Sequence, residues 1–256
     1  MVKIMLDAGH GGHDSGAVGN GLREKDIVLK IALKTQEILV NRFNNVEVHL
    51  TRYDDTFVTL SGRAAYANQK GVDAFVSIHC NSGGGYGFES FRQTGVNDAR
   101  TVGFQNAIHK HLSAVFANNV SPYRDRGMKQ NDLAVLRQTN MIAVLTENLF
   151  MDNVEITKFN SESIVTKVAE AHAEGIAEFF GLSRKQGGST GGGTKYPIIG
   201  RTTANLWTHI GANIEVSTRK QLLPMGTDWQ IWGEVNGMYA VGGDEYASKD
   251  YMKIIG

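Results

Sequence analysis

The sequence predicts an α/β protein with a mostly parallel sheet and helices on both faces, followed by a small all-β domain. Two observations predict the first part: short apolar runs alternate with longer stretches of helical periodicity, and three of the apolar runs end abruptly in polar residues. A third observation predicts the second part. After residue 194 no helical period persists, and short apolar runs are broken by glycine and polar turns.

The first predicted elements make one βαβ unit. Residues 2–6 are a short apolar run typical of a buried strand, and residues 24–43 repeat apolar side chains at helical spacing. Residues 46–51 alternate apolar and polar side chains, which predicts a second strand. The glycine-rich loop before residue 24 therefore lies at the carboxyl end of a strand, where open α/β sheets place their binding sites.

A second helix and two further strands are predicted next. Residues 60–70 contain small and helix-compatible side chains, and Thr59 or Ser61 is available as the N-cap. Residues 74–79 form an apolar, β-rich run that ends in polar residues and glycines. Residues 87–91 are a candidate for a short strand.

Two long helices complete the first domain. Residues 96–118 and 164–180 carry helical spacing, and Gly181 ends the second helix. Between them lie apolar runs at residues 133–136 and 142–145. The second run breaks at three polar residues, so we expect a strand to end there.

Composition divides the chain into three parts. Residues 1–182 form the first domain, and residues 183–194 are polar and glycine-rich, which is typical of a flexible linker. Residues 195–256 form the predicted β domain, which contains all three tryptophans of the chain.

The charge balance gives no indication of a strongly charged partner, although local charged patches remain possible. The 26 basic residues equal the 26 acidic residues, so no bulk charge attracts nucleic acid or an anionic membrane.

No apolar run approaches the roughly 20 residues that span a bilayer, and the N-terminus lacks the apolar region of a signal peptide. We expect a monomer that is made in the cytoplasm without a signal peptide, inserts into no membrane and binds no nucleic acid.

Three residues are candidate metal ligands because the predicted topology brings them to one edge of the sheet. His10 follows the first strand, Glu24 opens the first helix, and His79 ends a later strand. Two histidines and one carboxylate suit a catalytic zinc, which keeps a fourth position for water. Glu147 follows another apolar run, where it could take a proton from that water and pass it to a leaving nitrogen.

These residues also have ordinary structural explanations. Glu24 can favour a helix N-terminus by its charge, and Cys80 can be an inert buried thiol, since neighbouring strand residues point to opposite faces. Because Cys80 is the only cysteine, intrachain disulfides and a cysteine-rich zinc site are excluded. His13 and Asp14 are alternative ligands, to which we assign supporting or surface positions.

The other polar residues within predicted elements are expected to be structural. Asp7 and Asn81 would cap strand ends, and His49 would pack in the core or at a sheet edge. We expect the three histidines in helical stretches to be solvated; they are His109, His111 and His172. GHDSG at residues 12–16 lacks the G-x-S-x-G spacing of a serine nucleophile elbow, and no G-x-x-x-x-G-K-[ST] phosphate loop is present.

Seven ordered features together resemble the zinc-dependent N-acetylmuramoyl-L-alanine amidases of the amidase type 3 family. They are LDAGHGG at Leu6, Glu24, TRYDD at Thr51, LSGRAAYAN at Leu60, VSIHCN at Val76, RGMKQNDLAVLRQTNM at Arg126, and TENLFMDN at Thr146. The resemblance covers residues 3–180. It implies a hydrolase-like α/β fold, zinc bound by His10, Glu24 and His79, and Glu147 as the catalytic glutamate.

Some positions depart from the family pattern or match it in another role. Cys80 stands where the family more often has alanine, while Asn148 and Leu149 replace a small residue and a glycine. Arg63 matches an arginine that we take to be structural.

The C-terminal domain has a resemblance of its own. The segment LPMGTDWQIWGEVNGMYAVGGDEYASKDYMKI resembles bacterial SH3-like wall-binding modules. Trp229, Trp232 and Tyr239 are candidates for a groove that binds peptide or glycan, although most aromatic residues here should form the core.

These resemblances imply a peptidoglycan hydrolase that cuts the amide between N-acetylmuramic acid and L-alanine, in a phage endolysin or a sporulation autolysin. One alternative is a zinc carboxypeptidase, which uses an H-x-x-E pair where this chain has His10 and His13. Another is a noncatalytic wall-binding protein with a vestigial site, against which the four intact positions argue.

Overall fold

A computed structural model describes most of the chain. It covers residues 1–185, 198–202, 206–210, 219–231, 233–235, 238–242, 245–248 and 252–255. Contacts within the chain divide it into two units, Met1–Arg184 and Lys185–Gly256. The predicted linker at residues 183–194 lies largely outside the described residues.

The first unit alternates strands and helices along the chain. Its elements are β1 (Val2–Ala8), β2 (Val18–Gly19), β3 (Leu22–Arg23), α1 (Glu24–Arg42), β4 (Val46–Leu50), α2 (Leu60–Lys70), β5 (Ala74–Asn81), β6 (Phe88–Gln93), α3 (Ala99–Asn119), β7 (Asp125–Asn131), α4 (Ala134–Arg137), β8 (Ile142–Phe150), a 3₁₀ helix (Val154–Asn160) and α5 (Glu162–Phe180).

Six of these strands form one sheet in the order β4-β1-β5-β8-β6-β7. The first four strands of this order, β4, β1, β5 and β8, are parallel to one another. Strand β6 runs antiparallel to β8, and β7 is parallel to β6. The predicted mostly parallel sheet is confirmed.

Helices cover both faces of the sheet because strand side chains alternate between two cores. Ile4 and Leu6 of β1 join a large core with α1, α3 and α5, whereas Met5 between them joins a smaller core with α2 and α4. Strand β8 repeats this alternation, with Val144 on the first face and Leu145 on the second. A period of two that is apolar on both faces is expected of a buried parallel sheet.

Capping interactions set the helix ends. Thr59, one of the two predicted caps of α2, accepts a hydrogen bond from Gly62 N at 3.1 Å. Helix α3 begins after Asp98, whose Oδ1 accepts from two backbone amides of the first turn. It therefore starts three residues later than the periodicity predicted.

One prediction about strands was wrong, and one strand was not predicted. Strand β8 does not end after residue 145 but continues to Phe150, because β6 pairs with its second edge and places Glu89 opposite Glu147. Strand β7, which was not predicted, is an exposed edge strand. Because this strand packs little against the core, its sequence needs no apolar alternation, and no pattern predicted it.

Two helical histidines that were expected to be solvated are buried. His109 is 7% exposed, with Nδ1 at 2.9 Å from Ser90 Oγ and Nε2 at 3.0 Å from Asp125 Oδ1. His172 is fully buried; its Nδ1–H donates to Val168 O at 2.9 Å, which leaves Nε2 to accept from Thr146 Oγ1 at 3.1 Å. The polar partners replace the water that burial removes.

The buried position of His172 predicts acid sensitivity. Burial lowers the pKa of His172 to about 4, whereas the unfolded chain protonates it near the ordinary value of 6.5. The free energy of unfolding should therefore fall as the pH drops between these values, by about 3 kcal/mol in total. Denaturant titrations across this pH range, followed by helical ellipticity, measure the change.

A non-titrating variant provides the control for this effect. His172→Gln should show a flatter pH dependence, while the surface substitution His111→Gln should keep that of the parent chain. Equal acid sensitivity in the parent and in His172→Gln would show that another group is responsible.

The second unit is built of strands wherever the structure describes regular elements. They are β9 (Ile198–Thr202), β10 (Leu206–Ile210), β11 (Arg219–Leu223), β12 (Asp228–Ile231), β13 (Gly233–Val235), β14 (Met238–Gly242), β15 (Glu245–Ser248) and β16 (Met252–Ile254). They pair antiparallel in two sheets, β11-β10-β15-β14-β13 and β12-β9-β16. This arrangement is compatible with the predicted small β domain. Among the residues described for the whole chain, no helix is long and apolar enough to cross a membrane.

Candidate active site

The site is built on the loop that leaves β1, and two buried arginines hold this loop. Arg52 donates to the carbonyl oxygens of Ala8 and Gly9 at 2.9 and 2.7 Å. Arg63 donates to those of Ala8 and His10, each at 2.6 Å. These carbonyls lie at the end of β1 and just beyond it, so the arginines fix the backbone that presents His10.

His10, Glu24 and His79 converge as the sequence predicted. Glu24 Oε1 lies 3.1 Å from His10 Nε2 and 3.0 Å from His79 Nδ1, and one ligand atom from each residue lies within 4.8 Å of the others. Burial lowers the pKa of both imidazoles, but hydrogen bonds to Glu24 outweigh this, raising the pKa of His10 and bringing that of His79 to about 9. Positive charge is thus favoured between the three groups.

Further contacts orient the three side chains. Asp14 Oδ2 lies 2.9 Å from His10 Nδ1, which leaves Nε2 of that ring to face Glu24. The backbone amides of Ala17 and Cys80 donate to Glu24 at 2.9 and 3.0 Å. Asp14 therefore supports a candidate ligand, as predicted, and a carboxylate on a histidine ring is the usual arrangement around metals.

Two glycines leave room for the cluster. A Cβ atom at Gly9 would overlap the ring of His79. A Cβ atom at Gly16 would lie 2.6 Å from Glu24 Oε2, and its φ of +63° is unfavourable for other residues. Gly9 and Gly16 thus act partly by their lack of a side chain.

Glu147 stands beside His79 on the neighbouring strand. The two residues are register partners in the β5–β8 pair, so their side chains share a face of the sheet. Burial raises the pKa of Glu147 to about 7, and its Oε2 is buried without a hydrogen-bond partner among the described residues. A carboxyl group of this kind can exchange a proton near neutral pH.

The residues after Glu147 have an unusual backbone. Leu149 has a φ of +68°, a left-handed conformation that favours glycine. This accounts for the glycine that the family pattern has at this position. Leu149 is fully buried in the larger core, so its apolar burial offsets a conformational cost of about 1–2 kcal/mol. Asn148 donates from Nδ2 to His79 O at 2.9 Å and links the two strands.

The sequence profile of a family described as N-acetylmuramoyl-L-alanine amidase matches residues 4–178. The chain belongs to this amidase family. The amidase is 46% identical to the endolysin of Bacillus phage SPP1 over 203 residues, which cover 78% of this chain and 73% of that protein. It is 43% identical to the sporulation-specific N-acetylmuramoyl-L-alanine amidase of Bacillus subtilis strain 168 over 185 residues, 72% and 70% of the two chains.

A solved structure agrees with the fold. The catalytic domain of CwlV, an N-acetylmuramoyl-L-alanine amidase from Bacillus (Paenibacillus) polymyxa var. colistinus, superposes with a TM-score of 0.65 at 35% identity. The match covers 72% of this amidase and all of that domain. The substrate of the amidase is therefore peptidoglycan, and its reaction is cleavage of the bond between N-acetylmuramic acid and L-alanine.

Cys80 does not have the properties of a nucleophile. It is 4% exposed within the larger core, and burial raises the pKa of its thiol well above the ordinary value. A thiolate is therefore disfavoured.

We expect Cys80→Ala to keep turnover within about threefold of the parent amidase, as measured by release of stem peptide. Loss of activity with an unaltered fold would implicate the thiol.

The aromatic candidates of the second unit have different environments. Tyr239 is 9% exposed and belongs to the core of this unit, and the half-buried Trp229 packs against that core. Trp229 Nε1 donates to Thr227 Oγ1 at 2.7 Å. Trp232 lies outside the described residues.

Proposed function

We propose that the amidase is a zinc enzyme in which His10, Glu24 and His79 hold the ion. The observation that supports this most directly is the convergence of two imidazole nitrogens on one carboxylate oxygen at 3.0–3.1 Å. The donor set fits zinc because nitrogen and carboxylate ligands together are typical of catalytic zinc sites, which leave one position open. A cation there would replace the protons that the three groups otherwise share.

In this proposal Glu147 transfers the proton. Zinc bound at the site would supply Lewis acidity, polarising the scissile carbonyl and lowering the pKa of water from about 15.7 toward about 7. Glu147 takes a proton from the attacking water and delivers it to the nitrogen of the leaving alanine. A pKa of about 7 suits a residue that must first accept and then donate a proton near neutral pH.

Metal content and product analysis test the proposal together. We expect about one zinc per chain by elemental analysis, and loss of dye release from labelled cell walls when a chelator removes it. The products should carry new alanine amino groups without new reducing sugar ends. Full activity of metal-free protein would refute zinc dependence without affecting the family assignment. A carboxypeptidase would instead release a C-terminal amino acid, and a noncatalytic protein would release nothing.

We also propose that residues 195–256 bind the cell wall through an SH3-like unit attached by the linker at 183–194. Partly exposed aromatic side chains such as Trp229 suit peptide or glycan ligands. By tethering, this unit would raise the concentration of the catalytic unit at the wall, as expected in an endolysin. A chain that ends after Arg184, the last residue of the first unit, should then cleave soluble muropeptide at the full rate but lyse walls more slowly. Equal rates on walls would exclude the tethering function.

A further inference from the structure

We propose that peptidoglycan crosses the site in one orientation. In it, the sugar of N-acetylmuramic acid lies against His13 and Phe57, and the stem peptide runs over β8 and β6 toward Arg126 and Lys129. The inference rests on the proposed role of Glu147 and deepens it, since it assigns each half of the substrate to one flank of the site.

Strand order places the groups in a row along the edge of the sheet. Phe57 follows β4, His10 follows β1, His79 lies near the carboxyl end of β5, and Glu147 lies on β8. Strands β6 and β7 come next, and they carry a charged cluster of Glu89, Arg126 and Lys129. Because neighbouring strands lie about 4.8 Å apart, the aromatic side chain and the charged cluster are on opposite sides of the candidate ligands.

The position of Glu147 selects the orientation. The nitrogen that leaves belongs to L-alanine, so the group that protonates it must lie on the peptide side of the scissile bond. Glu147 is on the β8 side of His79, and His10 is on the β1 side. The peptide therefore leaves across β8, and the lactyl group with its sugar lies toward β1 and β4.

An aromatic surface formed by His13 and Phe57, called the ledge below, is available on the sugar side. The rings of His13 and Phe57 pack at a centroid distance of 4.1 Å, His13 is exposed, and Phe57 is 37% exposed. The turn that carries His13 is closed by reciprocal backbone hydrogen bonds between Gly11 and Asp14 at 2.9 and 3.1 Å. Since Asp14 also contacts His10, the ledge is held next to a candidate ligand.

The second loop of the ledge is fixed as well. Asp55 accepts a hydrogen bond from Gly12 N at 2.9 Å and pairs with Lys25 Nζ at 2.6 Å. Lys25 also donates to Gly12 O at 2.8 Å. These bonds join the Phe57 loop to the His13 turn, so the ledge is a preformed surface. An apolar ring face of this kind suits the C–H face of a sugar.

The opposite flank is cationic. Glu89, the register partner of Glu147, pairs with Lys129 and with Arg126 Nε at 3.1 Å, and it accepts from Asn81 Nδ2 at 2.5 Å. Arg126 also interacts with the charge of Glu155, but the Lys129 side chain is 40% exposed and can be reached from solvent. A stem peptide carries free carboxylates, which an accessible ammonium group attracts.

Substrate truncation combined with substitution tests the orientation. Three soluble substrates are needed: a muramoyl peptide, the same peptide acylated only with the lactyl group, and a muramoyl peptide with amidated carboxylates. We expect Phe57→Ala to raise KM about 3- to 10-fold for both muramoyl substrates and to leave the lactyl peptide unchanged. Phe57→Trp should keep the parent KM, because it retains an aromatic face.

Lys129→Met should show the complementary pattern. We expect KM to rise about 3- to 10-fold for the two substrates with free carboxylates and to stay constant for the amidated one. Any effect of Lys129 on Glu147 through Glu89 is common to all three substrates, so it cancels when they are compared within one variant. Lys110→Met, which removes a lysine of α3 that pairs with Glu178 of α5, should change none of the three KM values.

The outcomes separate this inference from the proposed function. If the parent amidase cleaves the substrates with zinc bound but Phe57→Ala responds to the peptide carboxylates and Lys129→Met to the sugar, the orientation is reversed. If neither variant distinguishes the substrates, the two flanks do not contact them, and the inference fails. In both cases zinc content and Glu147-dependent turnover of the parent would leave the proposed chemistry standing.

Discussion

Replacing Glu147 by glutamine is expected to lower turnover by roughly 10²–10⁴ while zinc stays near one ion per chain. The reason is that glutamine keeps the size of the side chain and removes its ability to take a proton. Glu147 Oε2 has no hydrogen-bond partner among the described residues, so the substitution breaks no contact through that atom. Folding should be normal, because residue 147 is only partly buried and its strand pairing is made by the backbone.

A ligand substitution gives the matched control. His79→Ala should lose both activity and metal, since it removes one of three candidate ligands. Metal content measured beside the rate of stem-peptide release distinguishes a metal ligand from a residue that transfers the proton. If Glu147→Gln loses zinc, the residue is a ligand; if it retains full turnover, another group carries the proton.

The convergence of the candidate ligands could be predicted because each of them is tied to a local signal. His10, Glu24 and His79 each stand where an apolar pattern stops or a helical pattern starts, and parallel strands bring such positions to one edge. Their convergence follows from topology alone. The support from Arg52 was not predicted, because TRYDD has the composition of a polar turn, and its hydrogen bonds go to a loop more than forty residues earlier.

Features that depend on distant partners were mispredicted for the same reason. The polar residues after Leu145 looked like the end of a strand, yet β6 supplies a second edge that keeps β8 extended to Phe150. His172 looked solvated in a helical stretch, but Thr146 of β8 provides the partner that lets it be buried. Local propensity carries no information about either partner.

Arg63 shows how a structural residue can belong to the same motif set as the ligands. Its Nη1 donates to Asp7 Oδ1 at 2.7 Å, and the arginine and the aspartate are 2% and 0% exposed. Asp7 also accepts from Thr51 and Ser77, each at 2.6 Å. Burial alone would raise the pKa of Asp7, but Arg63 and these hydroxyl groups hold it below its ordinary value. The aspartate is thus ionised inside the core only because its partners are present.

Removing Arg63 should therefore destabilise the amidase strongly. We expect Arg63→Met to lower the free energy of unfolding by about 3–5 kcal/mol, since it leaves a buried carboxylate without its cation. Adding Asp7→Asn should recover part of the loss, because the double variant no longer buries an uncompensated charge. Arg137→Met is the matched control: Arg137 pairs with Asp132 at 2.5 Å on the surface, and its loss should cost less than about 1 kcal/mol.

The two units can be followed separately in this experiment. Every helix that the structure describes lies in the first unit, while all three tryptophans of the chain lie in the second. In denaturant titrations, Arg63→Met should shift the transition seen by helical ellipticity and leave the tryptophan fluorescence transition in place. A loss no larger than that of Arg137→Met would show that the Arg63–Asp7 pair does not stabilise the first unit. Zinc should be left out of these titrations, because metal binding would add its own stabilisation to the folded state.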